Sequence, residues 1–142
     1  MNTPADRIVA GFEELTSERL PELLKLYVAD ARFKDPFNEV VGLTEIERIY
    51  RHMFNALDDP RFAVIARVIE ARQCVLTWEF RFGFNGFQRG RRHTVHGASH
   101  LLLTEQGQIS VHRDYWDPAE EIYEKLPLLG ALMRWLKRRA AA

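Results

Sequence analysis

RFAVIARVIEARQCVLTWEFRFGF, residues 61–84, contains two runs rich in β-branched and aromatic residues, Arg61–Glu70 and Gln73–Phe84, joined by Ala71-Arg72. So short a link suits an antiparallel hairpin. Two runs of the same character follow, Arg91–Thr104 and Gln108–Trp116, with Asn85-Gly86 and Gln106-Gly107 as turn candidates. Residues 61–116 are therefore predicted to form four long strands of one antiparallel sheet.

Outside that block the apolar period is helical. Thr3-Pro4-Ala5-Asp6 supplies a hydroxyl cap, a proline for the first turn and an acid at the positive helix end, predicting a helix to about Leu15. Thr16 or Ser17 starts a second helix, whose stripe Leu20, Leu23, Leu24, Tyr27 runs to Ala29. Ala31 to Asp35 reads as a brief strand stopped by Pro36, which lacks the ladder donor. Thr44 and Glu47 form a capping box before the stripe Ile46, Ile49, Tyr50, Met53, Phe54, Leu57, and Asp58-Asp59-Pro60 ends that third helix. Beyond the sheet, Asp117-Pro118 with Glu120 restarts a helix, Pro127 interrupts it, and Leu128–Arg139 is amphipathic. The element order predicts an α+β fold: a cone-shaped barrel of strongly curved antiparallel sheet wrapped around the N-terminal helices, with a helical tail over about 118–139. Such a bend leaves a cavity, and a cavity invites a ligand.

The chain has 142 residues, 46% of them hydrophobic, enough for one core and too few for two, so residues 1–142 are expected to be a single domain. Twenty basic residues balance twenty acidic ones, which gives no overall field for nucleic acid or an anionic membrane. The lone Cys74 sits in an apolar run and fits a reducing compartment; no signal pattern and no span of about 20 apolar residues is present, so a cytoplasmic, soluble protein is expected. His93 and His96 fall on opposite strand faces, and His96 and His100 lie about 13 Å apart, so neither pair can hold one metal ion. Phosphate loops and dinucleotide fingerprints do not occur, and no cofactor is expected.

Two segments carry a family resemblance. Ala29-Asp30-Ala31-Arg32-Phe33-Lys34-Asp35-Pro36, after a helical hairpin, resembles the segment with the catalytic aspartate of ketosteroid isomerases. His112-Arg113-Asp114-Tyr115-Trp116-Asp117 resembles the last strand of SnoaL-like proteins and limonene-type epoxide hydrolases. The likeness spans the whole chain and implies the SnoaL-like, nuclear-transport-factor-2-like superfamily, with its cystatin-like α+β fold and a frequent homodimer. This superfamily holds isomerases, dehydratases, cyclases, hydrolases and non-enzymes, so the fold does not choose a reaction.

By that resemblance Asp35 stands at the position of the isomerase base, with Phe33 and Phe37 as apolar walls that raise proton affinity; equally, Asp35 before Pro36 suits a turn cap. The isomerase oxyanion tyrosine has no counterpart in the first helix, which offers Gly11 or Phe12, and Ser99 takes the place of the protonated aspartate. Asp114 matches an epoxide-hydrolase acid, while Glu79 and Arg81 occupy the arginine and aspartate positions with their charges exchanged. Residues two apart on a strand share a face, so Glu79 pairs with Arg81, and His112 with Asp114 and Trp116. Two orientations fit β-periodicity. The resemblance turns Glu79 and Arg81 into the cone and leaves Trp78, Phe80, Phe82 and Phe84 as an outer patch for a homodimer; the opposite assignment makes the aromatic row core and the charged pair surface. We adopt the first.

The expected function is cofactor-free acid/base chemistry, of isomerase, dehydratase or hydrolase type, on a small apolar molecule bearing a carbonyl, hydroxyl or epoxide oxygen. Asp35 and Asp114 would be the acid/base groups with His112 assisting; Arg81, Glu79, Ser99, Tyr27, Tyr50, Phe54, Trp116, Phe12 and Phe37 would contact the ligand. The competing expectation is a non-catalytic ligand-binding or scaffolding homodimer. Leu128–Arg139 would dock on the barrel or across the dimer; lipid attachment through this basic helix is the less expected alternative.

Overall fold

In the computed structural model, residues 2–85, 90–121 and 127–141 are described. The chain runs α1 (Pro4–Glu13), α2 (Leu20–Leu24), β1 (Tyr27–Lys34), β2 (Glu39–Val41), α3 (Leu43–Ala56), β3 (Leu57–Glu70), β4 (Gln73–Phe84), β5 (His93–Leu103), β6 (Ile109–Tyr115), α4 (Pro118–Glu121) and α5 (Pro127–Ala140). One six-stranded sheet has the order β2-β1-β6-β5-β4-β3. It is antiparallel except where β1 runs parallel to β6. Bulges interrupt β3 between Asp58 and Arg61 and between Val64 and Ala66, and bulges sharpen a sheet's twist. The sheet does not close into a full barrel: it curves over the helices as an open cone.

Local chemistry explains most of the element limits. Thr3 and Asp6 form a reciprocal cap, with Asp6 N donating to Thr3 Oγ1 at 3.1 Å and Thr3 N to Asp6 Oδ2 at 2.9 Å. α2 is much shorter than its leucine stripe predicts. Ile109 N donates to the Leu26 carbonyl at 2.7 Å and Tyr27 aligns with Ile109, so pairing with β6 captures Tyr27–Ala29 as strand. Tertiary pairing overrides helical periodicity here. The capping box expected at Thr44 and Glu47 does not form, because α3 starts earlier, at Leu43. Its N-cap is Gly42 at φ 99°, a left-handed conformation natural only to glycine. α3 ends at Ala56, ahead of Asp58-Asp59-Pro60, and β3 begins at once at Leu57 instead of at Arg61, with Asp59 at φ 43° in the first bulge. Ala71 at φ 53° and Gly107 at φ 79° make the two hairpin turns, while Gly86 of the third turn candidate lies outside the described residues.

The core lies between the concave sheet face and α1 to α3. Ile8, Leu20, Leu23, Ile46, Leu76, Leu101 and Ile109 are almost wholly buried there, each contributing roughly 1.5–3 kcal/mol by removal from water. The alternation along β4 gives the inward face to Cys74, Leu76, Trp78 and Phe82. Glu79 and Arg81 are on the other face, Arg81 with 58% of its side chain exposed. The expected orientation of β4 is thus reversed. Desolvating two charges would cost several kcal/mol per ion, whereas turning the aromatic row inward removes apolar surface from water.

Candidate functional site

Curvature of the sheet over the helices leaves a cavity of about 290 Å³. Phe62 of β3 and Trp78, Phe80, Phe82 and Phe84 of β4 form one wall, with Phe62 and Phe80 stacked at 4.4 Å. Phe12 of α1 and Tyr50 and Met53 of α3 close the helix side. Ser99, His112 and Asp114 come from the inward faces of β5 and β6, the central strands, where Ser99 stands opposite Asp114 in register.

These polar groups form one hydrogen-bonded chain. His112 is 2% exposed and Ser99 4%, so neither can look to bulk water for partners. Trp78 Nε1 donates to Ser99 Oγ at 2.9 Å, and Ser99 Oγ donates to Asp114 Oδ1 at 2.5 Å. His112 Nε2 lies 2.6 Å from the same oxygen, and His112 Nδ1 lies 2.7 Å from the Tyr27 hydroxyl. The Tyr27 and Tyr50 hydroxyls are 3.0 Å apart. With Asp114 ionised and His112 neutral, one set of protons satisfies every member. Tyr50 donates to Tyr27, Tyr27 to Nδ1 and Nε2–H to Asp114. Burial pushes both phenols well above their ordinary acidity range, and the Asp114 charge adds to this, so both remain proton donors. Asp114 Oδ2 accepts no hydrogen bond among the described residues, although Asp114 lines the cavity.

Packing holds the chain in place. Trp78 stands opposite Gly97, and its indole covers that glycine so closely that no Cβ fits there. This lets the ring lie flat along β5 and reach Ser99, two residues on. His112 is wedged between Phe33 at 4.7 Å and Phe12 at 5.6 Å between ring centres.

The structure brings Asp35, Asp114, His112, Ser99, Tyr50, Phe12, Phe37 and Trp116 to one cavity. Asp35 serves a turn as well: its Oδ1 accepts from Phe37 N at 2.8 Å, Asn38 N at 2.6 Å and Asn38 Nδ2 at 3.1 Å. Phe37 packs edge-on against Trp116 at the rim and is 59% exposed. Tyr27 lies behind the cavity wall and reaches it through Tyr50. Phe54 borders a separate open depression near Leu15–Glu18 and Asp58–Arg61 rather than the cavity. Glu79 and Arg81 are corrected to the outer face, where Arg81 Nη2 meets Glu79 Oε2 at 2.5 Å and His96 approaches Glu79 at 3.7 Å. Sequence reasoning held the aromatic row as inner wall only as the alternative orientation, since alternation alone does not choose the inner face; it missed Asn38, for which no signal existed.

A curved sheet over three helices around an apolar cavity defines the class: this is the nuclear-transport-factor-2-like α+β fold. The SnoaL-like domain family matches residues 8–112, most of the chain, and the protein belongs to that family. No curated protein matches it at a significant level. Among similar structures, an NTF2-like protein of unknown function from Burkholderia pseudomallei K96243 is 19% identical, with a TM-score of 0.74 over 86% of this chain and 96% of that one. A ketosteroid-isomerase-like fold from Catenulispora acidiphila DSM 44928, solved with trimethylamine, is 13% identical, with a TM-score of 0.70 over 84% and 88%. AclR from Streptomyces galilaeus is 19% identical, with a TM-score of 0.68 over 88% and 100%. Identities this low establish the shared fold alone.

Proposed function

We propose that the protein is a cofactor-free acid/base enzyme, of isomerase, dehydratase or hydrolase type, acting on a small apolar molecule that carries a carbonyl, hydroxyl or epoxide oxygen. The observation that carries this reading is Asp114, with Oδ1 anchored by buried His112 and Ser99 and Oδ2 without a hydrogen bond among the described residues, at an apolar cavity. A carboxylate so held is a positioned base, and general acid–base catalysis contributes typically 10²–10⁴-fold. His112 sets the direction of the tyrosine hydroxyls. When both its nitrogens are protonated, Nδ1–H donates to Tyr27, Tyr27 donates to Tyr50, and the Tyr50 hydroxyl is left to donate a hydrogen bond to a ligand oxygen while keeping its proton. In that state Asp114 Oδ2 takes a proton from substrate or water while Tyr50 steadies the developing oxyanion. Asp35, with Oδ1 occupied by three donors, shapes the rim.

The test is turnover of a panel of apolar enolisable ketones, allylic alcohols and epoxides by the wild type, Asp114→Asn and His112→Asn. Loss of at least 100-fold with Asp114→Asn is expected; undiminished turnover contradicts the assignment. A wild type that binds panel members without converting any of them is instead a ligand-binding protein. We also propose that it works as a homodimer through the outer sheet face. The aromatic row is absent from that face, but exposed Val68, Leu102 and Tyr115 supply apolar area there.

A further inference from the structure

The last helix offers a surface that the cavity chemistry does not use. α5 spans 14 residues and exposes Leu132, Trp135 and Leu136 at 49%, 47% and 45%. Their spacing of three and one places all three on one face. Docking on the barrel does not account for a face this open. Four bases, Arg134, Lys137, Arg138 and Arg139, share the helix with no acid. That leaves 16 bases against 20 acids in the rest of the chain, so the molecule is electrically lopsided. The Arg139 guanidinium lies over the Trp135 ring at 5.3 Å, so a charge borders the apolar face instead of opposing it.

We propose that α5 binds an anionic phospholipid surface, lying in the headgroup region with Leu132, Trp135 and Leu136 against the acyl chains and Arg138 and Arg139 on the phosphates. Tryptophan prefers that boundary, and bases near a membrane surface strengthen attachment. Spanning is excluded by size as well as charge: the helix is about 21 Å long, short of the roughly 30 Å hydrocarbon layer.

The experiment is co-sedimentation of the full chain with vesicles of phosphatidylcholine alone, or of phosphatidylcholine and phosphatidylglycerol in roughly a 2:1 ratio. Binding is expected to the anionic vesicles and to weaken with added salt. Arg138→Gln with Arg139→Gln should lower it on the order of 25-fold, since each base near such a surface multiplies affinity roughly fivefold. Leu132→Asp with Trp135→Asp should abolish it, with melting temperature and circular dichroism unchanged for both variants. Equal binding to neutral vesicles, no binding to either, or indifference to both variants overturns the proposal. So does light scattering without vesicles in which the aspartate variant splits an oligomer, which would make a protein the occupant.

Discussion

Asp114 and Asp35 are both carboxylates at one cavity, yet their bonds give them different work. Asp35 closes a turn through two backbone donors and the Asn38 amide; Asp114 ends a chain of buried donors and keeps one oxygen open. His112 and Asp114 were legible because residues two apart share a strand face and the last-strand motif marks them, whereas Ser99 was marked only by the isomerase resemblance. Tyr27 was legible only as a buried phenol in need of a partner, since its link to His112 joins residues 85 apart in sequence. The two phenols give a test by pH. Both are held neutral by burial, so below about pH 10 they titrate in neither the folded nor the unfolded chain. As pH rises further the unfolded chain releases protons that the fold retains, and stability falls by roughly 1.4 kcal/mol per pH unit for each phenol. Tyr27→Phe removes one of these terms, so urea unfolding should show a shallower loss of stability above pH 10. An unchanged slope would mean that the Tyr27 phenol is not buried neutral.

At the scale of elements, the four long strands were readable because turn residues and β-rich runs alternate cleanly. The faces of those strands were not. Alternation separates two sets of side chains without saying which set is inside, and on β4 family likeness gave the wrong one. The comparison that decides it is energetic: Glu79 and Arg81 make an exposed pair of little worth, while Trp78 and Phe82 are 7% and 3% exposed. α2 was misread for a different reason, since Tyr27 fits a helical stripe locally but is claimed by β6 from across the fold. The pairing of β4 with β5 carries its own test. Gly97→Val must displace the Trp78 indole and break its bond to Ser99. Denaturant unfolding should show a loss of about 1–3 kcal/mol, from overpacking and an orphaned buried donor. Full retention of stability would show that the strands yield at little cost.

For the whole molecule, element order alone implied a curved sheet over helices, because few architectures bury that order of helices and strands in 142 residues. Pocket chemistry and assembly needed coordinates, since both depend on which face of the sheet is concave. The proposed homodimer rests on Val68, Leu102 and Tyr115 in place of the aromatic row. Light scattering is expected to give a mass of two chains, and Val68→Asp with Tyr115→Asp a mass of one; a wild type that is already monomeric would contradict it. The central claim, that Asp114 moves protons inside the cavity, is tested most directly by incubating an apolar enolisable ketone from the panel in deuterium oxide. The wild type should wash deuterium into the carbon next to the carbonyl, and Asp114→Asn should slow this by at least 100-fold. Incorporation at the same rate by both proteins would show that the proton goes elsewhere.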